Sequence, residues 1–259
     1  MPRASRYHLR GYIWHITHRC HRRQFLLKFA RDRRAWVRWL FEARKRYGLC
    51  VLDYTVTCNH IHLLALDQDR DKIARSMQLI AGRSAQAHQR RKGCNGAFWE
   101  DRYHATAVDS DQHLARCLVY IDLNMVRAGM VDHPAHWKTS GYHEIQAERD
   151  RYRIVDRRAL ANALGLASTK DLAATHAAWI GAALARGVGR REPRWSESVA
   201  VGRLEFVQRV AAELGTRALY RKVEEVGDGY VLRESGETYR VLSRAETEPL
   251  SSESPCSWR

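Results

Sequence analysis

No stretch of the 259 residues approaches the roughly 18 uninterrupted apolar residues that a bilayer span needs, although the hydrophobic fraction is an ordinary 45%. The N-terminal stretch has no apolar signal-peptide core, neither end carries a lipidation signal, and no internal repeat is visible. Six cysteines, at 20, 50, 58, 94, 117 and 256, include no C-x-x-C pair and show no regular spacing. A membrane protein, a disulfide framework and a zinc module are therefore disfavoured, and a soluble cytoplasmic protein with reduced thiols is expected. Acidic side chains are scarce at one end: residues 1–48 hold 2 of them against 14 basic ones.

What the chain has in excess is arginine. Its 44 Lys and Arg against 29 Asp and Glu leave a net +15. Residues 1–191 carry 34 basic and 17 acidic side chains, whereas residues 192–259 carry 10 and 12. A polyanion is thus expected to meet the N-terminal part, and nucleic acid is preferred over a membrane surface.

Periodicity places the elements. Tyr12 to His18 alternates apolar and polar residues, the period of a half-buried strand. From Arg31 to Tyr47 the spacing of Trp36, Leu40, Ala43 and Tyr47 is helical, and Gly48 supplies the stop. Leu49 to Thr57 and His60 to Leu66 read as a close antiparallel pair, Asp71 to Arg91 as a helix, and Phe98 to Val108 as containing a fourth strand. Asp109 with Gln112 three residues on suggests a capping box opening a helix over 110–127, stopped by Gly129. The β-α-β-β-α-β order predicts an α+β, ferredoxin-like (split βαβ) domain, an antiparallel sheet with helices on one face. Beyond it, 149–158 is a charged connector, 156–187 reads as alanine-rich helix, and 187–193 as a linker. A helix at 204–214, a strand pair at 229–233 and 237–241, and a disordered tail complete the reading.

Two constellations could carry chemistry. His60 and His62 lie two apart on a strand, so both imidazoles project from one face. They are either ligands of one metal ion or a hydrogen-bonded, half-exposed pair. On the helix over 110–127, Leu114, Leu118, Ile121 and Met125 form the core stripe, while His113, Cys117, Tyr120, Asn124 and Arg127 collect on another face. Tyr120 and Asn124, at i and i+4, lie one above the other. His133 and His136 resemble a ligand spacing but lie in a loop after the helix, and His104 and His113 are placed either near the phosphate or, like the first two, as solvated structural histidines. The N-terminal Arg3, Arg6, Arg10, Arg19, Arg22 and Arg23 are candidate phosphate-backbone contacts, with Tyr7, Tyr12 and Trp14 either core or base-stacking residues.

The segments NHIHLLAL, FWEDRYHATAV and YIDLNMVRAGMV resemble the single-tyrosine HUH transposases and, within them, the REP-associated tyrosine transposases, over roughly residues 5–145. The His-hydrophobe-His and Tyr-Ile-x-x-Asn motifs carry the resemblance. It implies an HUH domain over 1–145, a mainly helical C-terminal extension over 146–245 and a tail over 246–259. It further implies His60, His62 and Asn124 as ligands of a divalent metal, Mg²⁺ or Mn²⁺, and Tyr120 as the nucleophile. The implied activity is cleavage and joining of single-stranded DNA through a 5′-phosphotyrosine link, at short palindromic REP hairpins. Relatives differ between monomers and domain-swapped dimers, so a monomer or homodimer is expected, nucleoid-associated when bound to DNA. Members usually have proline after the asparagine; Met125 stands there in this chain and should let the helix continue. The rival readings are a hairpin-binding protein that no longer cuts, and an RRM-type RNA binder. The second lacks the aromatic pair that it would need on the strand of His60.

Overall fold

The computed structural model describes residues 9–69 and 71–234. Arg3, Arg6, Tyr7, the expected strand at 237–241 and the tail at 246–259 lie outside the described residues. The expected order is borne out: β1 (Ile13–Arg19), α1 (Ala30–Tyr47), β2 (Cys50–Val56), β3 (His60–Leu66), α2 (Lys72–Lys92), β4 (His104–Val108) and α3 (Gln112–Asp122). β1 runs antiparallel to both β3 and β4, and β3 antiparallel to β2. Strand β3 therefore sits between β1 and β2, the two strands that α1 connects, which is the split βαβ arrangement.

Local chemistry explains the helices. Trp36, Leu40 and Ala43 of α1 are fully buried, and burying a leucine contributes about 1.5–3 kcal/mol. Gly48 closes α1 in the left-handed region at φ 66°, its N–H donating to the carbonyl of Arg44. Arg44, Lys45 and Arg46 in the last turn complement the helix dipole. Gly93 ends α2 in the same way.

The sheet departs from the expectation of helices on one face. All seven positions of β2 are buried, and Ile61, Leu63 and Ala65 are as buried on one side of β3 as His62 and Leu64 on the other. Both faces are covered, because α3 packs over the face to which His62 points. The rest of the chain adds α4 (Asn124–Arg127), α5 (Tyr142–Gln146), α6 (Arg157–Ala163), α7 (Thr169–Ala185), α8 (Arg194–Glu197) and α9 (Leu204–Leu214). It also adds three strands, β5 (Ala200–Gly202), β6 (Arg221–Val226) and β7 (Gly229–Glu234). The extension is mainly helical, as expected, yet its strands join the same sheet. β5 pairs parallel with β4, giving the order β2-β3-β1-β4-β5-β7-β6. The hairpin partner of β7 is β6, a strand on its N-terminal side.

Two local expectations around α3 need correction. The Asp109 carboxylate does not cap the helix: it takes both guanidinium contacts of Arg203, at 2.8 and 3.1 Å, together with the Arg203 N–H. Burial raises the Asp109 carboxyl, but the Arg203 hydrogen bonds outweigh it and hold the group below the ordinary range. Helix α3 starts instead from Asp111, at φ 58° and without a side-chain cap. Nor does the helix run unbroken to residue 127. It is interrupted at Leu123 (φ −77°, ψ 3°) and resumes as α4, so a break occurs here without proline.

The end of α3 is supported from behind by buried polar groups. Asp122 Oδ2 lies 2.8 Å from His176 Nε2 of α7, and His176 Nδ1 meets the Gln146 amide at 2.8 Å. Glu144 Oε2 accepts from the N–H groups of Ile154 and Val155. Asp53 of β2 completes the group. Burial first, then the neighbouring Asp122 and also Glu144, push its carboxyl well above the ordinary range.

Two outcomes follow. In Gly202→Ala the new Cβ would lie 2.4 Å from Asp109 Cβ and 2.6 Å from Phe206 Cδ1, so β5 must shift. Urea unfolding should show a loss of about 1–3 kcal/mol, the usual cost of overpacking; a variant as stable as the parent would refute this packing. For Asp53, the native state keeps a proton that the unfolded chain loses above a pH of about 4, so this group lets stability fall as pH rises towards its raised pKa. Asp53→Asn removes that slope. Its stability relative to the parent should improve between pH 5 and pH 8, and a pH-independent difference would show the carboxyl to be ordinarily ionised.

Candidate active site

Strand alternation and the α3 crossing bring the two expected constellations together. His60 Nε2 lies 3.1 Å from His62 Nε2, and the Asn124 amide lies 2.9 Å from the same His62 nitrogen. The Tyr120 ring stands edge-on to the His62 ring, at 90° with centroids 5.9 Å apart. All four residues line one cavity of about 970 Å³.

The orientation of His60 is set locally. Its Nδ1 is 2.7 Å from Asn59 Oδ1 and 3.0 Å from Thr57 Oγ1. The Asn59 amide nitrogen is committed to the carbonyl of Arg23, so Oδ1 is the atom that faces the ring. An amide oxygen only accepts, hence His60 Nδ1 carries the proton and Nε2 is a bare lone pair. Burial, helped by Arg19 and Arg191, lowers the His60 pKa to about 4, so the ring is neutral near pH 7.

Among the described residues no three His, Cys, Asp or Glu side chains gather for a metal ion. A cation in this cavity would take two imidazole nitrogens and an amide oxygen, which a half-turn of the Asn124 amide presents where its nitrogen now lies. The donor set fits a cation with open positions for phosphate and water, in keeping with Mg²⁺ or Mn²⁺; imidazole also suits zinc.

Tyr120 is almost enclosed, at 4% exposure. Burial raises its phenol above the ordinary value, while Arg127 and Arg191 pull in the other direction. The Arg127 guanidinium lies 4.2 Å from the centre of the Tyr120 ring and also donates to the Tyr120 carbonyl. A cation over the ring favours phenolate over phenol. Behind the tyrosine lies Trp195, with centroids 6.2 Å apart.

The remaining expected site residues divide. Arg19 and Arg23 line the cavity, and Arg19 pairs with Glu100 at 3.6 Å across its rim. Arg22 is exposed in the short helical turn beside them. Arg10 is at the other end of β1, its Nε donating to the Gln68 carbonyl, and is not brought to the cavity. Trp14 is fully buried, and Tyr12 donates its hydroxyl to Glu213 with its ring against Phe206, so both are packing residues. His133 caps a turn, His136 pairs with Asp132, and His113 packs beneath Gly229. His104 reaches the cavity while bonded to the Ser198 carbonyl.

Several residues of the site were missed in the sequence. His15 of β1 is fully buried and its Nε2 lies 2.8 Å from His62 Nδ1. Its alternation with Ile13 and Thr17 gave its side of the strand, but only the β1–β3 register shows that this side faces His62. Arg102, Arg190 and Arg191 also line the cavity. The last two come from the stretch 187–193 that reads as a linker, where two adjacent arginines were the available signal.

Comparison with known proteins adds three findings. Residues 9–124 match the family described as IS200-like transposase. A solved structure of a REP-associated tyrosine transposase bound to a REP hairpin is similar, with a TM-score of 0.48 and 20% identity, over 57% of this chain and 87% of that one. No curated protein matches significantly.

Proposed function

Residues 9–124 match the IS200-like transposase family, and we propose that this chain cuts and rejoins single-stranded DNA with Tyr120 as the nucleophile. The observation that carries the reading is the convergence of His60, His62, Asn124 and Tyr120, drawn from β3 and the α3–α4 helices, on one arginine-lined cavity. Arg19, Arg23, Arg102, Arg127, Arg190 and Arg191 outnumber Glu100 and Asp101 around it, as suits a phosphodiester.

Tyr120 Oη attacks phosphorus, the bond from phosphorus to the 3′-oxygen breaks, and the 3′-oxygen leaves as a hydroxyl after taking up a proton. The product is a 5′-phosphotyrosine ester that conserves the bond for rejoining. Tyr120 enters protonated, because its burial opposes ionisation, so loss of the phenolic proton accompanies attack. Arg127 stabilises the developing negative charge on the ring oxygen. A divalent cation held by His60, His62 and Asn124, Mg²⁺ or Mn²⁺, would supply neutralisation of charge on the phosphoryl oxygens. In-line attack requires a bent backbone, which favours a single strand, and the family reading adds REP-like palindromic hairpins as the sites. The near-complete enclosure of Tyr120 favours a second reading, a hairpin-binding protein that does not cut.

A labelled single-stranded hairpin oligonucleotide separates the two. In Mn²⁺ the parent protein should form an SDS-resistant adduct that is lost in EDTA and in Tyr120→Phe. Hairpin binding with no adduct from any cognate repeat would establish the second reading, and an adduct formed by Tyr120→Phe would remove this tyrosine from the chemistry. In a separate titration of the protein alone, His60→Ala should weaken Mn²⁺ binding by at least tenfold; an unchanged titration would exclude His60 as a ligand.

A further inference from the structure

His15 is a buried histidine beside the proposed ligands to which the proposed chemistry gives no task. Its ring has 0% exposure. Nδ1 lies 2.7 Å from the carbonyl oxygen of Trp195, and Nε2 lies 2.8 Å from His62 Nδ1. The His15 and His62 planes are within 11° of each other with centroids 5.0 Å apart. That separation suits two imidazoles joined edge to edge by an in-plane hydrogen bond, and is too long for a face-to-face stack.

The proton positions in this chain of contacts follow from donor and acceptor types. A carbonyl oxygen only accepts, so His15 Nδ1 carries the hydrogen. Its two nitrogens face a carbonyl and an imidazole rather than a carboxylate, so the enclosed ring is neutral and Nε2 is its lone pair. His62 Nδ1 must then donate to it, which leaves His62 Nε2 bare and turned towards His60 Nε2 and the Asn124 amide. Without an acceptor behind it, His62 could place its hydrogen on either nitrogen, and the Nε2–H form cannot bind a metal through that atom.

We propose that His15 is a positioning residue that holds His62 in the Nδ1–H tautomer, with the Trp195 carbonyl as its anchor, so that the Nε2 lone pair is presented to the cavity. The role in metal binding rests on the reading of His60, His62 and Asn124 as ligands. The tautomer itself does not depend on it. The anchor lies at residue 195, outside the family match over 9–124, so the C-terminal extension takes part in building the site. Trp195 is fixed there by a fully buried ring, and its carbonyl also accepts from Thr106 Oγ1 at 3.3 Å.

The test uses the full chain with ¹⁵N-labelled histidine, free of metal, at pH 7.5. Long-range ¹H–¹⁵N correlation spectra report which ring nitrogen carries the hydrogen, and His62→Gln identifies the His62 signals. Both His15 and His62 should appear as Nδ1–H tautomers; an Nε2–H tautomer at His62 would overturn the proposal. Mn²⁺ titration then compares two variants. His15→Leu removes the acceptor and should weaken Mn²⁺ binding about 10- to 100-fold, the usual range for loss of such a partner. His15→Gln, whose amide oxygen can accept from His62 Nδ1, should stay within about threefold of the parent and retain the His62 tautomer. Equal weakening in both folded variants, or none in His15→Leu, would refute the positioning role. If His15→Leu does not fold, the parent tautomer and His15→Gln decide the matter. If the parent binds no Mn²⁺, the ligand reading fails, and the spectra alone decide the role of His15.

Discussion

The placement of β3 between β1 and β2 is the constraint on which the rest of this structure depends. Antiparallel pairing on both sides fixes β3 in register, with His60 opposite Arg19 and His62 opposite Thr17. The side-chain period of a strand is two, so a slip of one residue would turn both imidazoles away from α3 and put Ile61 and Leu63 in their place. Buried apolar side chains on the opposite face prevent that slip, since it would drive two histidines into the hydrophobic layer. The geometry of a polar cavity is thus maintained by aliphatic residues that never touch it.

Much of this was legible in the sequence because it is local. The strand of His60 and the helix over 204–214 fall where their periodicity places them, and α1 and α2 fall within a residue or so. The Tyr120 and Asn124 pair is legible from its i, i+4 spacing, although the helix breaks between the two at Leu123. What escaped is non-local. His15 is separated from His62 by 47 residues and its hydrogen bond depends on strand register. Trp195 contributes a main-chain carbonyl, which has no signature in residue type. Asp109 has the sequence of a cap, but Arg203, 94 residues away, offers a charge-assisted bidentate partner that a single N–H cannot match. The break at Leu123 shows a further limit: missing proline removes one cause of interruption, not every cause.

The C-terminal part is more than an appendage in space. It reaches β1, β4 and α3 through Trp195 to His15, Ser198 to His104 and Thr106, Arg203 to Asp109 just after β4, and His176 to Asp122. The first three act on the sheet face that bears the histidines or at the end of β4. The last acts on α3 two residues beyond Tyr120. Changes in this region can therefore alter the cavity without being near it in sequence.

The hydrogen bond between His15 and the Trp195 carbonyl also imposes an order of events during synthesis. The four strands β1 to β4 and helix α3 are complete in sequence once residue 122 has been made, and the strands pair with one another through earlier residues alone. His15 nevertheless waits for its carbonyl partner until residue 195 is made; at ~5–20 residues per second, the ~70 intervening residues take ~4–14 s. Until then the histidine cluster lacks the carbonyl that anchors it, so the residues of the site are made well before the residue that locks them.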